Sequence, residues 1–112
     1  MKEVKTFLHR GRVAEVVHAL STAGYRHLTV IDVRGLLRAL SAREEQYSIE
    51  LGERVTHEVR LEIVCKDDEV DRAVQLIRLH GRTGQPIAGW VYVSPVERAE
   101  PIDGRLHEDS VP

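Results

Sequence analysis

Histidine is the first residue type to test for chemistry, because His9, His18, His27, His57 and His80 all precede the C-terminal tail and each could ligate a metal. No two of them stand at a metal-binding helical spacing, and no HExxH context occurs. Surface or interface positions are the expectation for most of them. The one cysteine, Cys65, closes an apolar alternation without an activating signal beside it, so a buried thiol is expected. The chain shows no Ser-His-Asp or Cys-His order, no GxxxxGK[ST] and no paired carboxylates in a defined setting. Catalysis therefore has no candidate residues, and the chain is not expected to be an enzyme. Recognition is better served. Residues 36–54, LLRALSAREEQYSIELGER, are mostly polar after Leu40, and Arg34, Arg38, Arg43 and Glu44-Glu45 could grip a partner protein or an anion. A solvated loop would also need such charges. Length favours partner contact, because a connection this long is uncommon in a small domain and is usually functional or disordered.

Alternation and helical spacing show what holds these residues. Val4, Thr6 and Leu8 alternate with Glu3, Lys5 and Phe7, the two-residue period of a strand. Val13, Val16, Val17, Leu20 and Ala23 then form one stripe of a helix, with Gly24 as its stop. Residues 27–33 are β-branched and apolar on both faces apart from Asp32, which reads as a central strand. After the polar segment, Val55, His57, Val59, Leu61, Ile63 and Cys65 alternate with mainly polar residues, the clearest strand in the chain. Asp67-Asp68 offers an N-cap to a second helix with the stripe Val70, Ala73, Val74 and Ile77, ended by Gly81. The stretch RTGQPIAG leads to a short strand at Trp90 to Val93, which Ser94-Pro95 should break. Residues 96–102 could add an edge strand, and 104–112 read as a flexible tail.

The order strand, helix, strand, long loop, strand, helix, strand predicts an α+β fold. Its form is a ferredoxin-like βαββαβ sandwich, an antiparallel four-stranded sheet with both helices on one face. The 112 residues suit one domain spanning 1–112. Apolar residues make up 42% and charged residues 30%, and no apolar run approaches the roughly 18 residues that cross a bilayer, so a membrane-embedded chain is excluded. A formal charge of −2 lacks the basic excess of a nucleic-acid binder. The start MKEVKTFLHRGR has no apolar stretch of signal-peptide length, which predicts a cytoplasmic address. Apolar residues on both sides of the central strands would leave the helix-free face in need of a cover, and a homo-oligomer supplies it.

The strand Leu28-Thr29-Val30 followed by Arg34-Gly35, the long excursion, Val59-Arg60-Leu61-Glu62-Ile63-Val64 with Asp67-Asp68, and the later Arg82-Thr83-Gly84 resemble the nitrogen regulatory protein PII family over residues 1 to about 104. The resemblance implies a regulator that assembles as a homotrimer and binds an adenine nucleotide in clefts between subunits. It also implies a T-loop at about 37–55 that docks on a transporter, an enzyme or a transcription factor, and a B-loop at about 82–90. On this resemblance, the ligand-binding positions are Thr29, Gly35, Arg38, Glu62, Val64, Arg82, Thr83, Gly84, Gly89 and Trp90. The positions for partner contact are Arg43, Glu44, Tyr47 and Glu50.

Departures from the family pattern shape the expected ligand. The B-loop reads Gln85-Pro86-Ile87-Ala88-Gly89-Trp90, so Pro86 lacks an N–H donor and Trp90 stands where the family has a phosphate-holding lysine. Two family arginines fall on Pro101 and Asp103. A charged hydrogen bond contributes roughly 1.5–3 kcal/mol, so losing three cations would remove on the order of 5 kcal/mol from triphosphate binding. AMP or ADP is expected ahead of ATP. Ala39 replaces a glutamine that helps hold magnesium and 2-oxoglutarate, so that route is not expected, nor is a metal. Leu51 and Ile49 occupy the positions of the family's modified tyrosine and serine, which leaves those modifications without acceptors. Trp90 could stack on adenine, although packing is the commoner role of a lone aromatic entering a strand. Two alternatives stand beside this reading: a CutA-like or metal-linked trimeric binding protein, and a small enzyme using the same cleft.

Overall fold

The computed structural model describes residues 1–32, 58–86 and 88–103. Strand β1 (Lys2–His9) passes through a 3-10 turn, Arg10–Arg12, into helix α1 (Val13–Thr22). Strand β2 (Leu28–Ile31) follows; then β3 (Glu58–Cys65), a second 3-10 turn at Asp67–Glu69, helix α2 (Val70–His80) and β4 (Val91–Pro95) complete the order. The sheet runs β2-β3-β1-β4, and every neighbouring pair is antiparallel. This is the ferredoxin-like α+β arrangement that the order of elements predicts. Among the described residues, no helix is long and apolar enough to cross a membrane.

Alternation sets the two faces of the sheet. Val4, Leu8, Leu61, Ile63 and Cys65 point to the helices, where Val16 and Leu20 of α1 and Ala73 and Ile77 of α2 meet them in one buried cluster. The opposite face carries Glu3, Lys5 and Phe7 against Val64, Glu62 and Arg60, the partners that the β1–β3 register assigns. That face is mixed rather than apolar, with Phe7 exposed and an Arg60–Glu62 ion pair at 3.1 Å.

Both helix ends follow the residues found there. Gly24 has φ +97°, its N–H donates to the Ser21 carbonyl, and the Tyr25 N–H donates to the Leu20 carbonyl. These bonds form a Schellman end, and Tyr25 joins Leu20 in the core as the accompanying apolar contact. Gly81 ends α2 for a different reason. Its φ of −86° suits any residue, but a Cβ would sit 2.7 Å from the Ile77 carbonyl oxygen and 3.0 Å from a Leu8 methyl.

Four local expectations need correction. β2 is an edge strand of the subunit rather than a central one, with Thr29 and Val30 exposed. Its apolar character on both faces does not specify its place in the sheet. Asp67 and Asp68 supply no side-chain cap to α2; Asp67 instead binds the Met1 amino group at 2.5 Å, which holds its carboxyl below the usual carboxylate range. β4 continues through Ser94 and Pro95, because an outer strand does not need the N–H that proline lacks. Residues 96–102 form no strand, and pairing ends where the Val96 N–H donates to the Met1 carbonyl.

Cys65 and Tyr25 make the core sensitive to alkali. Burial pushes the Cys65 thiol above its ordinary 9.0, with the Glu69 charge adding to the shift. Burial likewise pushes the Tyr25 phenol above 10.0, helped by charge at Cys65 and Glu69. Both folded values lie above the unfolded ones, so the fold favours the neutral forms. Their contribution is complete below about pH 9 and is lost as the pH rises through the folded values. The urea midpoint should hold to about pH 8 and fall above it, and Cys65→Ala should fall less steeply. Equal slopes in the two proteins would show that the thiol contributes nothing.

Candidate functional site

Strand β1, helix α2 and the start of β4 supply the floor of a groove of about 580 Å³, through Leu8, Val74, Ile77 and Val91, while the loop between α2 and β4 supplies its wall. Arg78, Arg82 and Trp90 also line it. Val74, Ile77 and Arg78 reach it because spacings of three and four residues share one side of a helix. No acidic side chain is among the described lining residues. The two guanidiniums therefore make the groove a place for negative charge, countering the partial negative charge that the carbonyls ending α2 present nearby.

The loop is shaped by two glycines. Gly84 has φ +88° and Gly89 φ +145°, and a Cβ at Gly89 would come within 3.2 Å of the Phe7 carbonyl oxygen. Trp90 is fixed through its backbone. The Thr6 hydroxyl, on a residue only 2% exposed, donates to the Trp90 carbonyl at 2.9 Å. Trp90 nevertheless remains 65% exposed, so its indole is an aromatic surface on a held backbone and not part of the core. Pro86 faces the same space and offers no N–H.

The structure gathers Arg82, Gly84, Gly89 and Trp90 at this groove. Thr83 adjoins the wall but does not line the groove; its hydroxyl accepts a long 3.5 Å bond from the Gln85 N–H. Thr29 and Glu62 are register partners on the helix-free face, and Val64 lies two residues further along that side of β3. Within one chain these three are not brought to the groove, because the sheet lies between. Gly35, Arg38, Arg43, Glu44, Tyr47 and Glu50 lie outside the described residues, as do all of 37–55 and all of 104–112.

Sequence reasoning passed over Thr6 and Arg78. Thr6 was legible as a polar residue between Val4 and Leu8 on the core side of its strand. Arg78 was legible as the residue four after Val74, at the border of the apolar stripe.

Comparison with known proteins identifies relatives of the chain. The family model for nitrogen regulatory protein P-II matches residues 1–105. A nitrogen regulatory protein P-II of Microchaete diplosiphon is 34% identical over 98 residues, 88% of each chain. One from Cereibacter sphaeroides is 32% identical over 112 residues, covering 99% of this chain and 100% of that one. A nitrogen regulatory protein P-II 2 of Methanothermobacter thermautotrophicus is 34% identical over 101 residues, 87% of this chain and 84% of its own. The fold, the extent of the match and these relatives together show that the chain belongs to the nitrogen regulatory protein P-II family of signal-transduction proteins.

Proposed function

We propose that the chain is a PII-type regulator that works as a homotrimer, takes an adenine nucleotide in clefts between subunits, and controls a partner protein through residues 37–55. The observation that carries this reading is the acid-free groove in which two arginines accompany an exposed indole. An aromatic face suits a base, and two guanidiniums suit one or two phosphates. With Pro86 offering no donor and Asp103 exposed on the chain, AMP or ADP fits these residues better than ATP. Separation of Thr29, Glu62 and Val64 from the groove also favours shared clefts. A ligand touching both sets needs one of them from a second copy. A nucleotide would then influence 37–55 only through its different affinity for two states of that segment. The regulated partner is a transporter, an enzyme or a transcription factor, and no role for nucleic acid or a metal enters this reading. Among the described residues, no three His, Cys, Asp or Glu side chains stand close enough to hold a metal ion.

Calorimetry on the metal-stripped protein, paired with sedimentation, tests the proposal. AMP or ADP should bind at least as tightly as ATP, to a trimer. Saturable Zn²⁺ or Cu²⁺ binding without any nucleotide heat would overturn it, as would a monomer at micromolar concentration.

A further inference from the structure

The turn Arg10-Gly11-Arg12 holds two distant parts of the chain at once. Arg10 grips Asp32 with both arms of its guanidinium, Nη1 to Oδ2 at 2.5 Å and Nη2 to Oδ1 at 2.9 Å. Asp32 lies one residue beyond β2, whose ladder with β3 ends at Ile31 opposite Arg60, and directly before residue 33. Two residues on, Arg12 Nε donates to the His80 carbonyl at 3.2 Å while Nη2 sits 2.8 Å from a Glu15 carboxylate oxygen. His80 is the last residue of α2, and Arg82 of the groove follows two positions later.

The turn between these two grips is tightly built. The Gly11 N–H donates to His9 Nδ1 at 3.1 Å, the Val13 N–H donates to the Arg10 carbonyl, and a Cβ at Gly11 would lie 3.3 Å from His9 Nδ1. Paired donors in a fixed fork transmit position better than a lone flexible charge. A short turn closed by its own hydrogen bonds cannot move one arginine far without moving the other.

We propose that Arg10 and Arg12 are positioning residues through which the groove at 82–91 and the end of β2 are mechanically coupled. This extends the reading of the groove as the ligand site. Filling the groove displaces or stiffens the end of α2, Arg12 carries that change into the turn, and Arg10 delivers it to Asp32. Coupling of this kind is reciprocal, so a disturbance at Asp32 must also be felt at the groove. Cross-effects between the two ends are the decisive measurement.

Hydrogen exchange on the full chain, with and without ADP, measures them. Without ligand, Arg12→Met should speed exchange several-fold in 82–91 and also in 28–32, although none of the Arg12 bonds described above reaches that strand. Arg10→Met should likewise speed exchange in 82–91. Arg12→Lys, whose ammonium still donates to a carbonyl, should restore most of the wild-type pattern. Arg10→Lys, which loses the two-pronged grip, should not. Exchange in β1 and β3 reports whether the fold is intact; if a methionine variant fails there, Arg10→Lys carries the test, and it should still speed exchange in 82–91. If each substitution disturbs only its own contact, the coupling is refuted. In the wild type, ADP should slow both regions; in Arg10→Met it should slow 82–91 alone. Absence of any ADP effect would refute the ligand reading of the groove, while the ligand-free comparison would still decide the coupling.

Discussion

Ile63→Ala should lower the unfolding free energy by about 2–5 kcal/mol. Ile63 is fully buried and lies between Val4 of β1 and Leu28 of β2 in the register, under the helices. Truncation removes its transfer energy and leaves a cavity that strands paired on both sides collapse into poorly. Domains of this size have a net stability of about 5–15 kcal/mol, so the loss would shift the urea midpoint strongly and could leave the variant partly unfolded at 37 °C. Val64 provides the contrast. It is half-buried on the helix-free face, opposite Glu3. Val64→Ala should cost the isolated subunit far less, and its effect should appear in sedimentation if copies associate through that face. Equal losses at the two positions would mean that the helix-free face is as tightly covered as the core.

Trp90→Ala should weaken ADP binding by roughly 5- to 150-fold, the equivalent of about 1–3 kcal/mol for removing an aromatic stacking surface. The backbone at this position is held by Thr6 through the carbonyl, which alanine keeps, so the loop should stay in place. Trp90 is 65% exposed, and removal of its indole should change the urea midpoint little. Trp90→Phe should recover part of the affinity. Quenching of tryptophan fluorescence gives a direct readout, because Trp90 is the only tryptophan in the chain. The opposite pattern, a large loss of stability with unchanged ADP affinity, would assign Trp90 to packing and remove the basis for an adenine site at the groove.

Much of the fold was legible because buried positions repeat at fixed intervals. Val59, Leu61, Ile63 and Cys65 on one side of β3, and Ala73 and Ile77 on one side of α2, follow the two-residue and three-to-four-residue periods directly. Periodicity carries no information about a strand's neighbours, so the edge position of β2 was not legible. Nor was the continuation of β4 through Pro95, since whether a proline is tolerated depends on which side of the strand is paired. The same limit applies at the groove. Arg82, Gly84, Gly89 and Trp90 are close in sequence and could be grouped by eye, whereas Thr6 reaches Trp90 across 84 residues and Arg12 reaches His80 across 68.

By itself, the sequence determined the order and type of the elements, the side of each that faces the core, and membership of a regulatory family, because these depend on local spacing and on residues that can be compared one by one. Tertiary structure alone decided that an acid-free groove forms beside Trp90, that Thr29 and Glu62 lie across the sheet from it, and that one short turn grips both Asp32 and His80. Those are contacts between residues far apart along the chain. They come into being only when strands choose their neighbours and the helices settle on one face.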